Sequence, residues 1–364
     1  MIPSQVMKNA LEELKTYSRV EVCVVDLSGG QVAMTSGATE PDPVLISGFA
    51  SSPADSQIIG NCYLMKIEED GETAYILAAT GDSEYTFMVA RIAVSEIQNL
   101  LVAYKEKYDR NNFFQNLLLD NMLLVDIYNR AKKLHVENRV PRAIIMVEVE
   151  KTDEGDDTAL ELLSGLYTAQ AGDYITAVDE SSVIIIKSLD NETDYASIET
   201  AATTAVDMLN MEAMLKVRAA YGTIVTELKD LSRSYKEAKM AMDVGKIFYP
   251  SKWVTSYNAL GIGRLIYQLP VNLCRIFLEE IFGSSAPIDV DQETLSTINT
   301  FFENSLNVSE TSRQLFVHRN TLVYRIEKLE KTTGLDIRNF DDALTFKIAL
   351  MVSSYLHYLD SMDF

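Results

Sequence analysis

The chain has 364 residues, too many for one ordinary hydrophobic core, and its 47% hydrophobic and 23% charged content marks it as globular, with room for two to three domains. A formal charge of −21 means that a polyanionic partner can be met only at a local basic patch. No run of about eighteen apolar residues and no charged segment leading into an apolar one at the amino terminus is present, so neither a membrane span nor a signal peptide is expected, and a cytoplasmic location is.

The first elements follow from periodicity. Residues 4–17 repeat as an amphipathic helix with Val6, Ala10, Leu11 and Leu14 inward. Val20–Leu27 is a β-prone run, Ser28-Gly29-Gly30 a turn, and Gln31–Thr35 the returning strand. Gly37–Ser56, rich in Pro and Ser, reads as irregular, followed by a hairpin of Cys62–Ile67 and Thr73–Thr80 and a further strand over Tyr85–Val89. This succession is the order of a small PAS- or GAF-like sensor over residues 1–90. Asp26 and Asp82 sit at turns and read as turn formers, not as working acids. Only Lys8, Lys15, Arg19 and Lys66 precede Arg91, so the domain is poorly supplied for a dicarboxylate, which is normally gripped by an arginine fork. A neutral metabolite, a protein partner and no ligand at all stay open.

Residues 91–140 read as helical. Ile97, Leu101, Tyr104 and Tyr108 recur at three and four, and Phe114, Leu117, Leu118, Met122, Val125 and Leu134 continue the pattern. Such stripes between domains form dimer helices or complete neighbouring cores, and the dimer is the expectation taken here. Across residues 141–250 a strand (Arg142–Glu150), a helix (Thr158–Gln170), a hairpin (Tyr174–Val178 and Val183–Lys187), a helix (Asp194–Leu215), a strand (Lys216–Gly222) and a helix (Leu228–Val244) succeed one another. That order suits a ferredoxin-like sheet with its helices on one side. Residues 251–290 are a helical linker: Phe248–Asn258 is a connecting stretch punctuated by Pro250, Gly261-x-Gly263-Arg264 turns into a helix, and Leu273–Ile281 is a second helix stopped by Gly283.

The last stretch, 291–364, is the most informative. Leu295, Ile298, Phe302 and Leu306 face one way on a first helix, and Ser309 can cap a second whose inward residues are Leu315 and Phe316. A third helix starts near Arg319 with Leu322, Val323, Ile326 and Leu329 on one face, and Asp341 can cap a last helix with Leu344, Ile348, Met351 and Tyr355 inward. From Ser309 to Arg338 six Lys or Arg stand against four Asp or Glu, a balance of +2, which leaves −23 for the rest of the chain. Two short helices with a basic tip on the second are the pattern of a helix-turn-helix. Cys23, Cys62 and Cys274, and His135, His318 and His357, are scattered, so neither a disulfide framework nor a metal site is expected, and no cofactor is.

The run Leu315-Phe316-Val317-His318-Arg319-Asn320-Thr321, with Tyr324-Arg325, Leu329-Glu330 and Thr333-Gly334-Leu335-Asp336, resembles the carboxy-terminal helix-turn-helix domain of the PucR/CdaR family of bacterial transcriptional regulators. The middle region is similar to the GGDEF-like domain of CdaR-type regulators, through Tyr221-Gly222 and Ser232-x-Ser234-Tyr235-x-x-Ala238. In an active diguanylate cyclase the hairpin carries two glycines that admit phosphate, followed by acidic residues for metal. The corresponding turn here is Val178-Asp179-Glu180-Ser181-Ser182, and Ala171-Gly172-Asp173-Tyr174 lies before the hairpin, so the domain reads as degenerate.

Together these readings describe an α+β multidomain chain: a PAS/GAF-like sensor, a helical linker, a ferredoxin-like degenerate GGDEF domain and an all-α helix-turn-helix domain. The resemblance implies a sequence-specific regulator, an activator of a metabolic operon, working as a homodimer on double-stranded DNA, with an effector at the N-terminal domain, RNA polymerase as a partner and no membrane partner. Arg319, Asn320, Thr321, Tyr324 and Arg325 are expected to face the bases, and Ser309, Thr311, His318 and Lys328 to meet phosphates. The readings it competes with are a nucleotide-metabolising enzyme built on the middle domain and a protein-binding adaptor whose helix pair no longer touches DNA.

Overall fold

The computed structural model describes residues 2–81, 84–150, 155–167, 172–179, 181–283 and 291–362 of the chain. The chain forms two compact units, Met1–Phe114 and Gln115–Phe364.

The first unit is built from α1 (Ser4–Ser18), β1 (Glu21–Val25), β2 (Gln31–Met34), α2 (Pro43–Ala50), β3 (Ser56–Ile59), β4 (Cys62–Glu69), β5 (Glu72–Thr80) and the long helix α3 (Glu84–Leu118), which begins in this unit. The sheet is antiparallel in the order β2-β1-β5-β4-β3. Its tightest corner, between β4 and β5, places Asp70 and Gly71 at positive φ of 56° and 84°, the backbone that matches the twist of a two-residue hairpin. Because side chains alternate along a strand, the sheet has two cores. Val22, Val24, Ile67, Leu77 and Ala79 pack against Met7 and Leu11 of α1 and Val89, Ala90, Ala93, Ile97 and Leu101 of α3. Cys23, Val25, Leu64, Ile76 and Ala78 face the other way, against Ile46 and Phe49 of α2.

Several expectations change here. The stretch read as irregular holds α2, started by Asp42, whose carboxylate accepts from the Val44 N–H at 2.9 Å, with Pro43 at the first helical position. It also leads into the edge strand β3. Tyr85–Val89 is not a strand but the first turns of α3, because the three- and four-residue spacing of Val89, Ala90, Ala93, Ile97 and Leu101 carries back through it and packing overrides local β propensity. Asp26 is a turn former: its Oδ1 accepts from the N–H groups of Ser28 and Gly30, both at 2.8 Å, and from the Ser28 hydroxyl, which holds its carboxyl below the ordinary range. Asp82 lies outside the described residues. The stripe read as a dimer surface divides. Ile97 and Leu101 close the unit's own core, whereas Tyr108 is 70% exposed. Helix Tyr85–Leu118 is long and apolar enough to cross a membrane by length and composition, yet its inner face is a wall of this core.

In the second unit α4 (Leu124–Lys133) precedes β6 (Arg139–Val149), α5 (Gly155–Tyr167), β7 (Tyr174–Asp179), β8 (Ser182–Ser188), α6 (Tyr195–Glu212), β9 (Val217–Tyr221), β10 (Val225–Glu227), α7 (Leu231–Phe248) and β11 (Val254–Ser256). On α4 the buried positions are Ile127 and Ala131, while Val125, expected inward, is 68% exposed. The sheet runs β11-β9-β6-β8-β7, with β10 added beside β6, so β6 to β9 with α5 and α6 make the βαββαβ succession. Ala143, Ile145, Val147 and Val149 face α5 and α6, whose Leu163, Ile198, Ala202 and Leu209 complete that core. Helix α7 covers the opposite face: Ser234 meets Ile144, and Lys246 pairs with Glu148. The helices therefore sit on both sides, not one. The segment expected to be a linker contributes β11, parallel to β9, because the Trp253 carbonyl accepts from the Ala219 N–H at 2.8 Å and extends the sheet.

The chain continues through α8 (Ile262–Tyr267), α9 (Val271–Phe282), α10 (Gln292–Glu303), α11 (Val308–Gln314), α12 (Arg319–Thr333) and α13 (Phe340–Met362). Helix α13 belongs to two cores. Ala343 and Phe346 pack with α10 and α12, whereas Ala349, Val352 and Tyr355 pack with Ile266, Cys274 and Leu278 of α8 and α9. Leu344, expected inward, is 44% exposed, a register error that Phe346 and Ala349 correct. Tyr267 beside this junction donates its hydroxyl to Asp243 on α7 at 2.7 Å, and burial first, then that carboxylate, pushes its pKa up. Burial likewise pushes Tyr358 on α13 up to about 12.

Ser234 gives this unit a sharp test. It is fully buried, its hydroxyl accepts from the Ile144 N–H at 3.1 Å and donates to the Thr223 carbonyl at 2.8 Å, so it ties α7 to β6. Ser234→Ala strands a buried N–H and should destabilise the unit by about 1–3 kcal/mol; thermal unfolding with an unchanged midpoint would contradict that role.

Candidate nucleic-acid interface

Helices α10 to α13 surround a core of Ile298, Phe301, Leu322, Ile326, Leu329, Ile337, Ala343 and Phe346, all buried. Leu322, Ile326 and Leu329 recur at three and four along α12, so their burial decides which way that helix faces. The opposite side looks to solvent: Arg319, Asn320, Thr321 and Lys328 are exposed and Tyr324 is 66% exposed.

The joint before α12 is built from local hydrogen bonds. Asn307, not Ser309, caps α11, accepting from the N–H groups of Ser309 at 3.0 Å and Glu310 at 3.2 Å. Thr311 is 0% exposed and spends its hydroxyl on the Asn307 carbonyl at 2.8 Å, so it is a structural residue and cannot meet phosphate as expected. Ser309 stays at the surface. The end of α11 is a complete left-handed cap: Val317 N–H reaches the Ser312 carbonyl at 3.0 Å and Phe316 N–H the Arg313 carbonyl at 3.1 Å. Phe316 occupies the position that favours glycine, with φ 54°, and is 96% exposed, so it does not point inward. Leu315 and Val317 pack on the core instead. His318 is the N-cap of α12, its Nδ1 accepting from the Asn320 N–H at 3.2 Å. That assigns the proton to Nε2, which is free to donate outward.

Arg325 departs from expectation. Its guanidinium turns back to α10, donating to Thr297 Oγ1 at 3.1 Å and pairing with Glu293, and its side chain is only 23% exposed. It anchors α12 to α10 and does not extend the free face. Sequence reasoning missed this because Glu293 and Arg325 lie 32 residues apart. Arg338 does similar work at the other end, bonding Asp336 at 2.6 Å and Glu330 at 2.8 Å. Arg338 holds the Asp336 carboxyl below the ordinary range; this stabilisation is present above the ordinary aspartate value of 3.8 and is lost as pH falls through the lower folded value. Arg313 pairs with Glu310. Among the described residues Arg319 has no ion pair, so it is the cation most available at the helix tip. Asp291, which caps α10, is held low by hydrogen bonds from Thr294, with the charge of Lys328 contributing.

A helix pair joined by a tight capped turn, with the tip of its second helix polar and exposed, defines a helix-turn-helix of the kind that enters a DNA groove. Residues 294–352 match the PucR C-terminal helix-turn-helix domain, and residues 121–244 match the GGDEF-like domain. The carbohydrate diacid regulator of Escherichia coli (strain K12) is 24% identical over 297 residues, covering 78% of this chain and 77% of that protein. The purine catabolism regulatory protein of Bacillus subtilis (strain 168) is 25% identical over 254 residues, 66% of this chain and 48% of the relative, so the chain spans about half of it. The DNA-binding transcriptional activator AdeR of Bacillus subtilis (strain 168) is 24% identical over 183 residues, covering 49% of this chain and 43% of AdeR. The chain is a transcriptional regulator that carries a PucR-type C-terminal helix-turn-helix domain and a GGDEF-like middle domain.

Two substitutions separate structural from recognition roles. Arg325→Ala should cost about 1–2 kcal/mol of domain stability through the lost charged hydrogen bonds, while leaving the order of preference among duplexes unchanged. Phe316→Gly should stabilise the domain by about 0.5–1 kcal/mol, since left-handed strain is relieved and almost no burial is lost. A thermal midpoint that falls in Phe316→Gly would mean that the ring packs in solution.

Proposed function

We propose that the chain is a homodimeric, sequence-specific activator of a metabolic operon, in which the amino-terminal turn of α12 reads base edges. The observation that carries this reading is the exposure of Arg319, Asn320, Thr321 and Tyr324 on the face opposite Leu322, Ile326 and Leu329. Arg and Asn at such a tip make bidentate bonds to guanine and adenine edges in the major groove. Ser309, His318 and Lys328 hold register on phosphates, His318 through Nε2. A two-fold dimer sets its half-sites about 34 Å apart or a multiple of it. RNA polymerase is the partner through which activation acts, and the working compartment is the cytoplasm.

The first unit is the sensor in this reading, of PAS/GAF-like type, supported by its five-stranded antiparallel sheet with helices on both faces. One of its cavities, of about 180 Å³, lies beside α2 and is lined by Thr39, Asp42, Leu45, Asn61, Cys62 and Thr80 among others. A carboxylate and no cation among its lining residues favours a small neutral or cationic effector over a diacid. The boundaries that go with this reading are residues 1–90, 91–140, 141–250, 251–290 and 291–364. The middle domain serves as a mount and turns over no nucleotide. At its hairpin Asp179 bonds the Ser181 N–H at 3.1 Å, and Asp173, nearly fully buried, is held by Lys187 at 2.6 Å.

Genome-wide recovery of bound DNA supplies the duplex for the test. On it, Asn320→Ala should lose about 1–3 kcal/mol of discrimination at one base position. Lys328→Ala should weaken cognate and random duplexes alike and lower the salt slope by about one. Equal losses for both variants on every duplex would contradict the division of roles, and salt-insensitive retention would contradict DNA binding. Turnover of GTP with magnesium that survives Arg319→Ala would favour the enzyme reading.

A further inference from the structure

We propose that the outer face of α3 is a parallel, in-register seam with the same face of a second copy, centred on Ile92 and Asn99 and flanked by an Arg91–Glu96 pair across the two-fold. The proposal deepens the dimer reading above and rests on it. Helix α3 has a core face of Val89, Ala90, Ala93, Ile97 and Leu101. On the other side Tyr85, Met88, Ile92 and Val102 are 53%, 62%, 53% and 59% exposed, and Ser95 and Asn99 between them are exposed too. These positions follow one another at three and four without a break: 85, 88, 92, 95, 99, 102. They are the a and d sites of a heptad, and the f sites Ala90 and Ile97 are buried in the unit's own sheet core. The helix can thus close its own core and pair with another at the same time.

The polar residues choose the partner and its direction. Asn99 falls at an a site, where facing Asn side chains bond each other only in a parallel, aligned pair. Arg91 is a g site and Glu96 the e site five residues on, so a parallel pair places each Arg91 beside the partner copy's Glu96. An antiparallel pair would set like charges together. Ser95, small, lets the helices approach. Glu106 and Asp109 occupy the next a and d sites, where acid faces acid, and this ends the seam after about 27 Å. A lipid bilayer is the other medium for so apolar a face, but Arg91 and Glu96 on its flanks fit a second protein chain.

Sedimentation equilibrium on the full chain tests this. The unchanged chain should dimerise, and Ile92→Glu should raise its dissociation constant by about 100-fold, because two apolar side chains leave the seam. Arg91→Glu and Glu96→Arg should each weaken the dimer by about threefold to tenfold, and the double exchange should restore it. In a Cys62→Ser background, with Cys23 and Cys274 buried, Asn99→Cys should link covalently on mild oxidation while the same chain with Asn99 kept does not. A monomeric unchanged chain, a dimer unaffected by Ile92→Glu, absent charge-swap rescue, or binding to phosphatidylcholine vesicles that Ile92→Glu abolishes would each overturn the seam. Half-site DNA binding by Ile92→Glu keeps the two questions apart: it should persist, and its absence in the unchanged chain too would count against DNA recognition instead.

Discussion

The orientation of α12 depends on the burial of Leu322, Ile326 and Leu329 against Ile298, Phe301 and Phe346. Those three apolar side chains fix the helix about its own axis, and the polar tip faces solvent as a consequence. Nothing in Arg319 or Asn320 orients itself. Two further constraints sharpen the placement: the capped turn of Asn307 through His318 sets the angle between α11 and α12, and Arg325 on Glu293 and Thr297 prevents α12 from rolling over α10. A long-range ion pair thus does what a sequence reading would give to a base contact.

The same economy of faces recurs through the second unit. Helix α13 is shared between the helix-turn-helix core and the core of α8 and α9, so the DNA-binding helices are not held by a slack tether but by a rod whose two ends are packed in different places. The buried tyrosines at that junction, with Tyr267 bonded to Asp243 on α7, extend the connection to the middle sheet. A change in the packing of α7 therefore has a continuous physical path to α13. The GGDEF-like sheet fits this role as a mount: helices cover both its faces, and its polar groups, such as Ser234 and Asp173, are spent on holding strands and helices together.

Most elements were legible because their signals are local. The β4–β5 hairpin announces itself through Asp70-Gly71, α12 through its apolar spacing and Gly334, and the βαββαβ order through alternating runs. What was not legible depended on distance or on competition. Helix α2 hides in a stretch of Pro, Ser and Gly, although Asp42-Pro43 is a helix-start signal, and β11 exists only because β9 offers it an edge. Tyr85–Val89 carries β-prone residues that the sheet core recruits into a helix. At the interface, exposure separated residues that composition could not: Asn320 and Thr321 face outward, Thr311 is sealed, and Phe316 is turned out by a backbone position normally left to glycine.

The most direct measurement is photo-crosslinking to recovered operator DNA from a probe placed at position 321, with a second probe at Met211, an exposed site on the middle domain. The account predicts a covalent adduct to a base in the major groove from position 321, competed by specific duplex and not by random duplex, and none from position 211. Adducts from position 211 with none from 321 would show that DNA meets another surface, and the orientation of α12 would then have a different purpose.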